Sequence, residues 1–401
     1  MKRWSIIVVL ALLAGCGVQN DGKTHTEKQI VMGDEQTELY LPLIEGQKVA
    51  LLTNHTGLAG TKADSPHILD VLLAKNVDVE VVFSPEHGFR GTADAGEKVE
   101  SGRDPKTGVR VVSLYGQKMP DQVGHDGEGE DFDVLLVDIQ DVGTRFYTYY
   151  ITMMRMMNVC ASEGKQVIIL DRPNPNGFAV DGPILDMKHK SGVGALPIPV
   201  MHGMTLGELA RMIVGEGWLD GGRRCNLIVI PCLNYTHDTL YELPVAPSPN
   251  LKDMQAIYLY PSTCFFEGTT LSLGRGTDFP FEVYGHPDIP ETGFAFTPVS
   301  MPGAKNPPLK DRECRGVDLR EIPQDQIRAK GVDLSYIIDA YHKLNAPDNF
   351  WRRDGFFELL IGVDYVREMI ENGAKAEEIK ARWAPDVEKF ETQRTKYLIY
   401  N

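Results

Sequence analysis

The chain has 401 residues, with 56 acidic against 41 basic side chains and a formal net charge of −15. Its 42% hydrophobic and 24% charged residues are ordinary globular values, which argue against a disordered chain or a coiled coil, and its length suggests roughly two to three domains. The acidic balance argues against a general nucleic-acid binder, which carries a basic footprint.

The first elements are signals rather than fold. Lys2 and Arg3 precede the apolar run Ile6 to Leu13, too short to span a bilayer as a helix and suited to a signal-peptide core. Leu13-Ala14-Gly15-Cys16 resembles a bacterial lipobox. Residues 1–15 therefore read as a lipoprotein signal peptide, with lipid on the Cys16 sulfur, and 16–30 as a polar tether. The protein is then expected at the cell envelope on the periplasmic face, membrane-anchored through Cys16. Gly17, where an inner-membrane protein has a retention aspartate, favours the outer membrane. The other cysteines, Cys160, Cys225, Cys232, Cys264 and Cys314, show no CxxC spacing and read as small buried hydrophobes, although an exported compartment permits a disulfide.

From residue 48 strands and helices alternate. Val49–Leu52 reads as a strand ending in polar residues. Pro66–Lys75, with Ile68, Leu69, Leu72 and Leu73 on one face, reads as a helix. Strands follow at Val77–Phe83, Val109–Leu114 and Asp133–Ile139, the last with the buried-strand run Val134 to Val137. Tyr150, Met153, Met154 and Met157 recur at helical spacing, predicting a helix to Glu163 before Gly164. Val167–Leu170 is a strand, Thr205 and Glu208 form a capping box opening a helix to Trp218, and Leu227–Ile230 is a strand. The pattern predicts an α/β fold, a Rossmann-like doubly wound and mainly parallel sheet over 31–240. Prolines and glycines become dense after residue 240, then helices are expected near 332–344, 356–371, 375–383 and 385–398. Residues 241–401 therefore read as a smaller α+β domain closing a cleft.

Four polar loops follow directly on apolar strands: Thr53 to Gly57, Ser84 to Gly91, Asp138 to Tyr147 and Asp171 to Gly177. In an open parallel sheet the loops after the carboxyl ends gather on one edge, where such folds bind ligands. Asn54, His55, Glu86, His87, Arg90, Asp138, Asp141, Arg145, Tyr147, Asp171, Arg172 and Asn174 are expected to face a common cleft, with His202 just before the Thr205 helix. Asn176 and Gly177 read as turn residues. No G-x-G-x-x-G follows a strand, and Walker, G-x-S-x-G and HExxH motifs are absent, so no cofactor is expected. No metal is expected either, since His55, His87 and His202 would meet around one only by coincidence of fold.

What remains is a carboxylate-and-arginine pocket. Glu86 suits a general acid, and Asp138 or Asp141 the second carboxylate of glycoside cleavage. Arg90, Arg145, Arg172 and Arg275 suit a ligand carboxylate or phosphate, which guanidinium grips with two hydrogen bonds. Tyr147, Tyr149, Phe265, Phe266 and Phe281 could stack on a sugar or form core.

The segments Ser84-Pro-Glu-His-Gly-Phe-Arg-Gly91, Asp138 to Tyr149, Asp171-Arg-Pro-Asn-Pro175, Phe266-Glu-Gly-Thr269 and Gly274-Arg-Gly-Thr277 together resemble the YbbC/NamZ family of exo-β-N-acetylmuramidases. The likeness runs from about residue 45 to the C-terminus. It implies a Rossmann-like domain and a smaller one with the active site between them. It also implies release of terminal N-acetylmuramic acid from the non-reducing end of peptidoglycan fragments, with Glu86 as the catalytic glutamate. The lactyl carboxylate of that sugar gives the arginines a purpose, and the second domain brings Glu267 and Arg275 to the cleft. The nucleophile stays open between Asp138, Asp141 and the substrate's own acetamido oxygen. Two rival readings stay open as well: a non-catalytic lipoprotein that binds cell-wall sugars, and a metal-dependent amidase.

Overall fold

The computed structural model describes residues 29–91, 94, 97, 101–114 and 131–400. The signal segment, Cys16 and nearly all of the tether lie outside the described residues.

The first half of the chain runs α1 (Thr37–Ile44), β1 (Lys48–Thr53), α2 (Ile68–Ala74), β2 (Asp78–Ser84), β3 (Gly102–Arg103), β4 (Arg110–Ser113) and β5 (Val134–Asp138). It continues through α3 (Tyr149–Glu163), β6 (Gln166–Leu170), α4 (Leu206–Gly215) and β7 (Asn226–Ile230). The strands form one sheet in the order β3-β4-β2-β1-β5-β6-β7, parallel except for β3. The strands are unbroken apolar runs because both faces are covered. Val49 and Leu51 of β1 join a cluster with Tyr40 and Ile44 of α1 and Leu69 and Leu72 of α2. Ala50 and Leu52 point the other way, into a cluster with Met153 and Met157 of α3 and Leu209 and Ile213 of α4.

Leaving out β3, the parallel strands lie in the order third, second, first, fourth, fifth, sixth. The winding reverses between β1 and β5, which pair up to Thr53 opposite Asp138. A crevice opens beyond the carboxyl ends at such a reversal.

The second half runs α5 (Met254–Thr263), β8 (Val283–His286), β9 (Ala295–Phe296), β10 (Cys314–Asp318), α6 (Gln324–Lys330), α7 (Ser335–Leu344), α8 (Phe356–Ile361), α9 (Tyr365–Glu371) and α10 (Ala376–Arg394). Its three strands form an antiparallel sheet in the order β8-β10-β9. The core is continuous with that of the first half, since Ile257 and Leu259 of α5, Ile337 of α7 and Trp383 of α10 share the cluster with α3 and α4. The chain end returns to the first sheet: Tyr400 packs on Cys232 and Tyr235.

Three expectations on elements needed correction. Residues 356–371 form two helices, broken at Gly362 with φ +83°, where a Cβ would lie 2.6 Å from Arg145 Nη2. The break expected at Pro385 does not occur, and α10 runs through it. Ile379, Trp383, Val387 and Phe390 are buried along one face of α10, and that burial outweighs the hydrogen bond lost at proline. Helices α1 and α5 were not foreseen. Each contains a proline, Pro42 and Pro261, and α5 is fixed by burial rather than by propensity. The five described cysteines are buried and unbridged. Among the described residues no helix is long and apolar enough to cross a membrane, and no group of three or more His, Cys, Asp or Glu is placed to hold a metal ion.

Candidate active site

A cavity of about 440 Å³ opens beyond the strand ends between the two halves, within the range roughly 300–1,000 Å³ of small-molecule sites. The loop after β2 supplies Glu86 and His87, and the residue after β4 supplies Leu114. The start of α3 supplies Phe146 to Tyr149, Ile151, Thr152 and Arg155. The second half contributes Ser248, Asn250, Leu251, Tyr260, Glu267, Arg275, Phe281 and Phe356. Of the residues expected from sequence, Glu86, His87, Tyr147, Glu267 and Arg275 therefore meet at one cavity.

Glu86 sits two residues beyond the end of β2, in a turn that His87 and Gly88 complete with φ of +71° and +74°. Thr148 donates from Oγ1 to Glu86 Oε2 at 2.9 Å, tying the carboxylate to the first turn of α3. Further along, the loop passes against His55. A Cβ on Gly91 would stand 1.9 Å from His55 Nδ1, so only glycine allows that approach. His55 is half-buried and donates from Nε2 to the Ala246 carbonyl at 2.8 Å. Burial pushes its pKa down. Asn54 donates to the Tyr149 hydroxyl at 2.9 Å. Tyr147 and Tyr149 both donate to the Pro247 carbonyl, at 2.9 and 3.0 Å. The proline-rich segment that opens the second half is thus strapped across the cavity as one of its walls.

On the other wall, a short 3-10 turn, Cys264–Gly268, presents Glu267. Arg275 donates to its Oε1 from Nε at 3.0 Å and from Nη2 at 2.5 Å. The guanidinium also lies 4.9 Å from the Phe281 ring, and Phe281 packs edge-on against Tyr260. Glu267 raises the pKa of Arg275 despite its burial, so this pair is a fixed dipole in the cavity wall.

The remaining residues expected in the cleft are placed elsewhere. Arg172 donates from Nε to Asp138 Oδ1 at 2.6 Å and from Nη2 to Asp34 Oδ2 at 2.6 Å, in a fully buried cluster at the end of β5. Arg145 is buried, has no acidic partner among the described residues, and donates to the carbonyls of Pro183, Ile198, Leu360 and Ile361 at 2.7 to 2.8 Å. The last two end α8, so the positive charge sits at the negative end of that helix and joins the two halves. Burial brings its pKa down to about 10. Arg90 pairs with Asp104 and points to solvent.

Asp171 accepts from Thr205 Oγ1 at 2.6 Å, Gly207 N at 2.9 Å and Tyr400 OH at 2.7 Å, capping α4 and holding the chain end. Asn174 closes a turn by accepting from Asn176 N and donates to the Met204 carbonyl. His202 accepts from Met204 N at 3.2 Å, and burial pushes its pKa down to about 3. Asp141 is buried, and Gly143 N donates to its Oδ1 at 2.7 Å while Oδ2 has no hydrogen-bond partner among the described residues. Burial pushes its carboxyl up to about 7. Asp138 and Asp141 thus do not line the cavity.

Sequence reasoning missed Thr148, Thr152, Arg155, Ser248, Asn250 and Tyr260. The first three follow helical spacing from the motif already noticed, at i, i+4 and i+7, and extending that motif down the helix face would have found them. Ser248, Asn250 and Tyr260 carry no such signal, because only the fold of the second half brings them there.

Two glutamates, one from each half, line an aromatic-walled pocket of an α/β fold, and paired carboxylates are the side chains that glycoside cleavage uses. The chain belongs to the NamZ family of exo-β-N-acetylmuramidases: the sequence model of the family's N-terminal part matches residues 49–255 and that of its C-terminal part residues 258–400. It is 35% identical, over 98% of its length and 97% of the relative's, to the peptidoglycan β-N-acetylmuramidase NamZ of Bacillus subtilis (strain 168). Two crystal structures of DUF1343 family proteins from Bacteroides fragilis NCTC 9343 share its fold. One has TM-score 0.85 at 55% identity and the other 0.76 at 27%, each covering 93% of this chain and 99% of its own.

Proposed function

We propose that the protein is an exo-acting glycosidase that removes terminal N-acetylmuramic acid from the non-reducing ends of peptidoglycan fragments. The observation that carries this reading is Glu86, placed in the cavity after a strand end and hydrogen-bonded by Thr148, with the Glu267–Arg275 pair lining the same cavity. Family membership and the substrate named for the Bacillus relative support it.

In the mechanism, Glu86 protonates the leaving glycosidic oxygen, and its Thr148 hydrogen bond fixes which oxygen faces the sugar. Positive charge grows on the sugar ring as the bond breaks, and the Glu267 carboxylate, aligned by Arg275, lies in the wall that stabilises it. The tyrosine pair and Tyr260 line the cavity beside the ring, and a water that enters as the leaving sugar departs adds to the anomeric carbon and gives its proton to Glu86, which restores the acid. Glu86→Gln should lower kcat on the disaccharide of N-acetylmuramic acid β-linked to N-acetylglucosamine, whose sugar leaving group must be protonated, by about 10²–10⁴-fold while the substrate still binds. Full turnover in that variant would remove Glu86 from the mechanism. Binding without sugar release by the parent would instead favour a transport or sensing lipoprotein.

The same reading places the enzyme at the envelope, tethered by lipid on Cys16 and facing the periplasm from the outer membrane. The Lys2-Arg3 start, the apolar run and Leu13-Ala14-Gly15-Cys16 support it. Cys16→Ser should move the protein from the membrane pellet to the soluble fraction, and an unchanged pellet would refute the anchor.

A further inference from the structure

An anionic sugar has to be recognised inside a protein whose net charge is −15. Of the four arginines that the sequence offers for this, none has a guanidinium to spare. Arg90 is spent on Asp104, Arg145 on carbonyls, Arg172 on two aspartates and Arg275 on Glu267. The cavity nevertheless contains a second guanidinium, that of Arg155 on α3. Arg155 is solvent-exposed and, among the described residues, makes no hydrogen bond or ion pair. It stands on the same helix face as Thr148 and Thr152, so its side chain shares the wall that positions Glu86.

We propose that Arg155 is the specificity-determining residue, binding the lactyl carboxylate that distinguishes N-acetylmuramic acid from N-acetylglucosamine. The inference rests on the muramidase reading above. Its physical basis is charge and geometry. Arg275 is already neutralised by Glu267, so Arg155 supplies the positive charge that the cavity lining offers to an anionic substrate. A planar guanidinium with no internal partner can present two parallel N–H groups to a carboxylate, a geometry that lysine cannot copy. Because the side chain holds nothing else in place, its replacement leaves the fold intact.

The test compares the parent, Arg155→Ala and Arg155→Lys on para-nitrophenyl β-glycosides of N-acetylmuramic acid and N-acetylglucosamine, with calorimetric binding of the two free sugars. Arg155→Ala should lose about 10–100-fold in kcat/KM on the muramyl glycoside, mainly through KM, and the muramyl-to-glucosaminyl ratio should fall by the same factor. Raising the salt concentration should raise the muramyl KM of the parent but not of Arg155→Ala, a response that a merely structural role would not give. Arg155→Lys should recover part of the loss. An unchanged ratio in Arg155→Ala, or equal losses on both glycosides, overturns the proposal. If the parent cleaves no muramyl glycoside, the muramidase reading fails by itself. Arg155 is then judged by binding: tighter binding of free N-acetylmuramic acid than of N-acetylglucosamine, lost in Arg155→Ala, upholds it, and equal binding overturns it.

Discussion

Replacing Arg172 with Met separates the structural from the substrate-binding role that the sequence allows this residue. Its side chain is 3% exposed, and both of its aspartate partners are at 0%. The substitution keeps most of the side-chain volume but leaves Asp34 and Asp138 buried without a cation. Breaking a buried pair by removing one partner costs about 3–5 kcal/mol, and that is the destabilisation expected at pH 7. The pH dependence supplies the sharper test. Burial already raises the Asp34 carboxyl well above the ordinary carboxylate range against the pull of Arg172, and without the guanidinium it should rise further. A carboxyl with a raised folded-state pKa binds a proton that the unfolded chain has released, so the stability of the variant falls as pH rises. Between pH 5 and 7 the loss should therefore shrink on acidification by up to about 2.7 kcal/mol through Asp34. Urea unfolding followed by tryptophan fluorescence at the two pH values measures this. Turnover of the folded variant, assayed well below its midpoint, should stay close to the parent's. Parental stability combined with lost turnover would refute the structural role, as would a stability loss that grows on acidification.

Asp141→Asn keeps the acceptor for Gly143 N while removing an ionisation that burial has moved up to about 7. The native parent holds this proton where the unfolded chain has lost it, so the group's contribution falls as pH rises from about 4 to 7 at up to about 1.4 kcal/mol per unit. In the variant that component of the slope disappears, which denaturant titration across the window will show. Gly362→Ala should cost about 1–3 kcal/mol, because φ is +83° and the new methyl meets Arg145, and thermal unfolding reads the loss directly. Tyr400→Phe removes the hydroxyl that donates to Asp171 and accepts from Cys232 N, and should lower stability by about 1–3 kcal/mol with kcat unchanged. Gly91→Ala should depress kcat more than stability, since it displaces the loop carrying Glu86 from its seat against His55.

Much of the fold was legible from the residues alone. Runs such as Val134 to Val137 and Val167 to Leu170 have to be strands covered on both faces, and the methionine spacing of α3 and the Thr205–Glu208 box define helices by local chemistry. A winding order then follows, and with it the edge at which Glu86 and the start of α3 must lie. Local pattern could not say which polar residues after the strands face a ligand and which hold the fold together. Glu86, Arg90, Arg145 and Arg172 look alike as loop residues, and only their neighbours tell them apart. A buried charge must find a partner within the protein, and the partners of Arg145 and Arg172 come from residues up to 216 positions away. The second half is less legible for the same reason. Helices containing Pro261 and Pro385 persist because their buried faces repay the lost hydrogen bond, and burial is a property of the assembled chain. The residues by themselves determined the family, the sheet and the position of Glu86. The tertiary structure decided that Arg90, Arg145 and Arg172 are committed elsewhere, that Arg275 is held by Glu267 in the cavity wall, and that Arg155, unremarkable on a helix, stands open in the cavity.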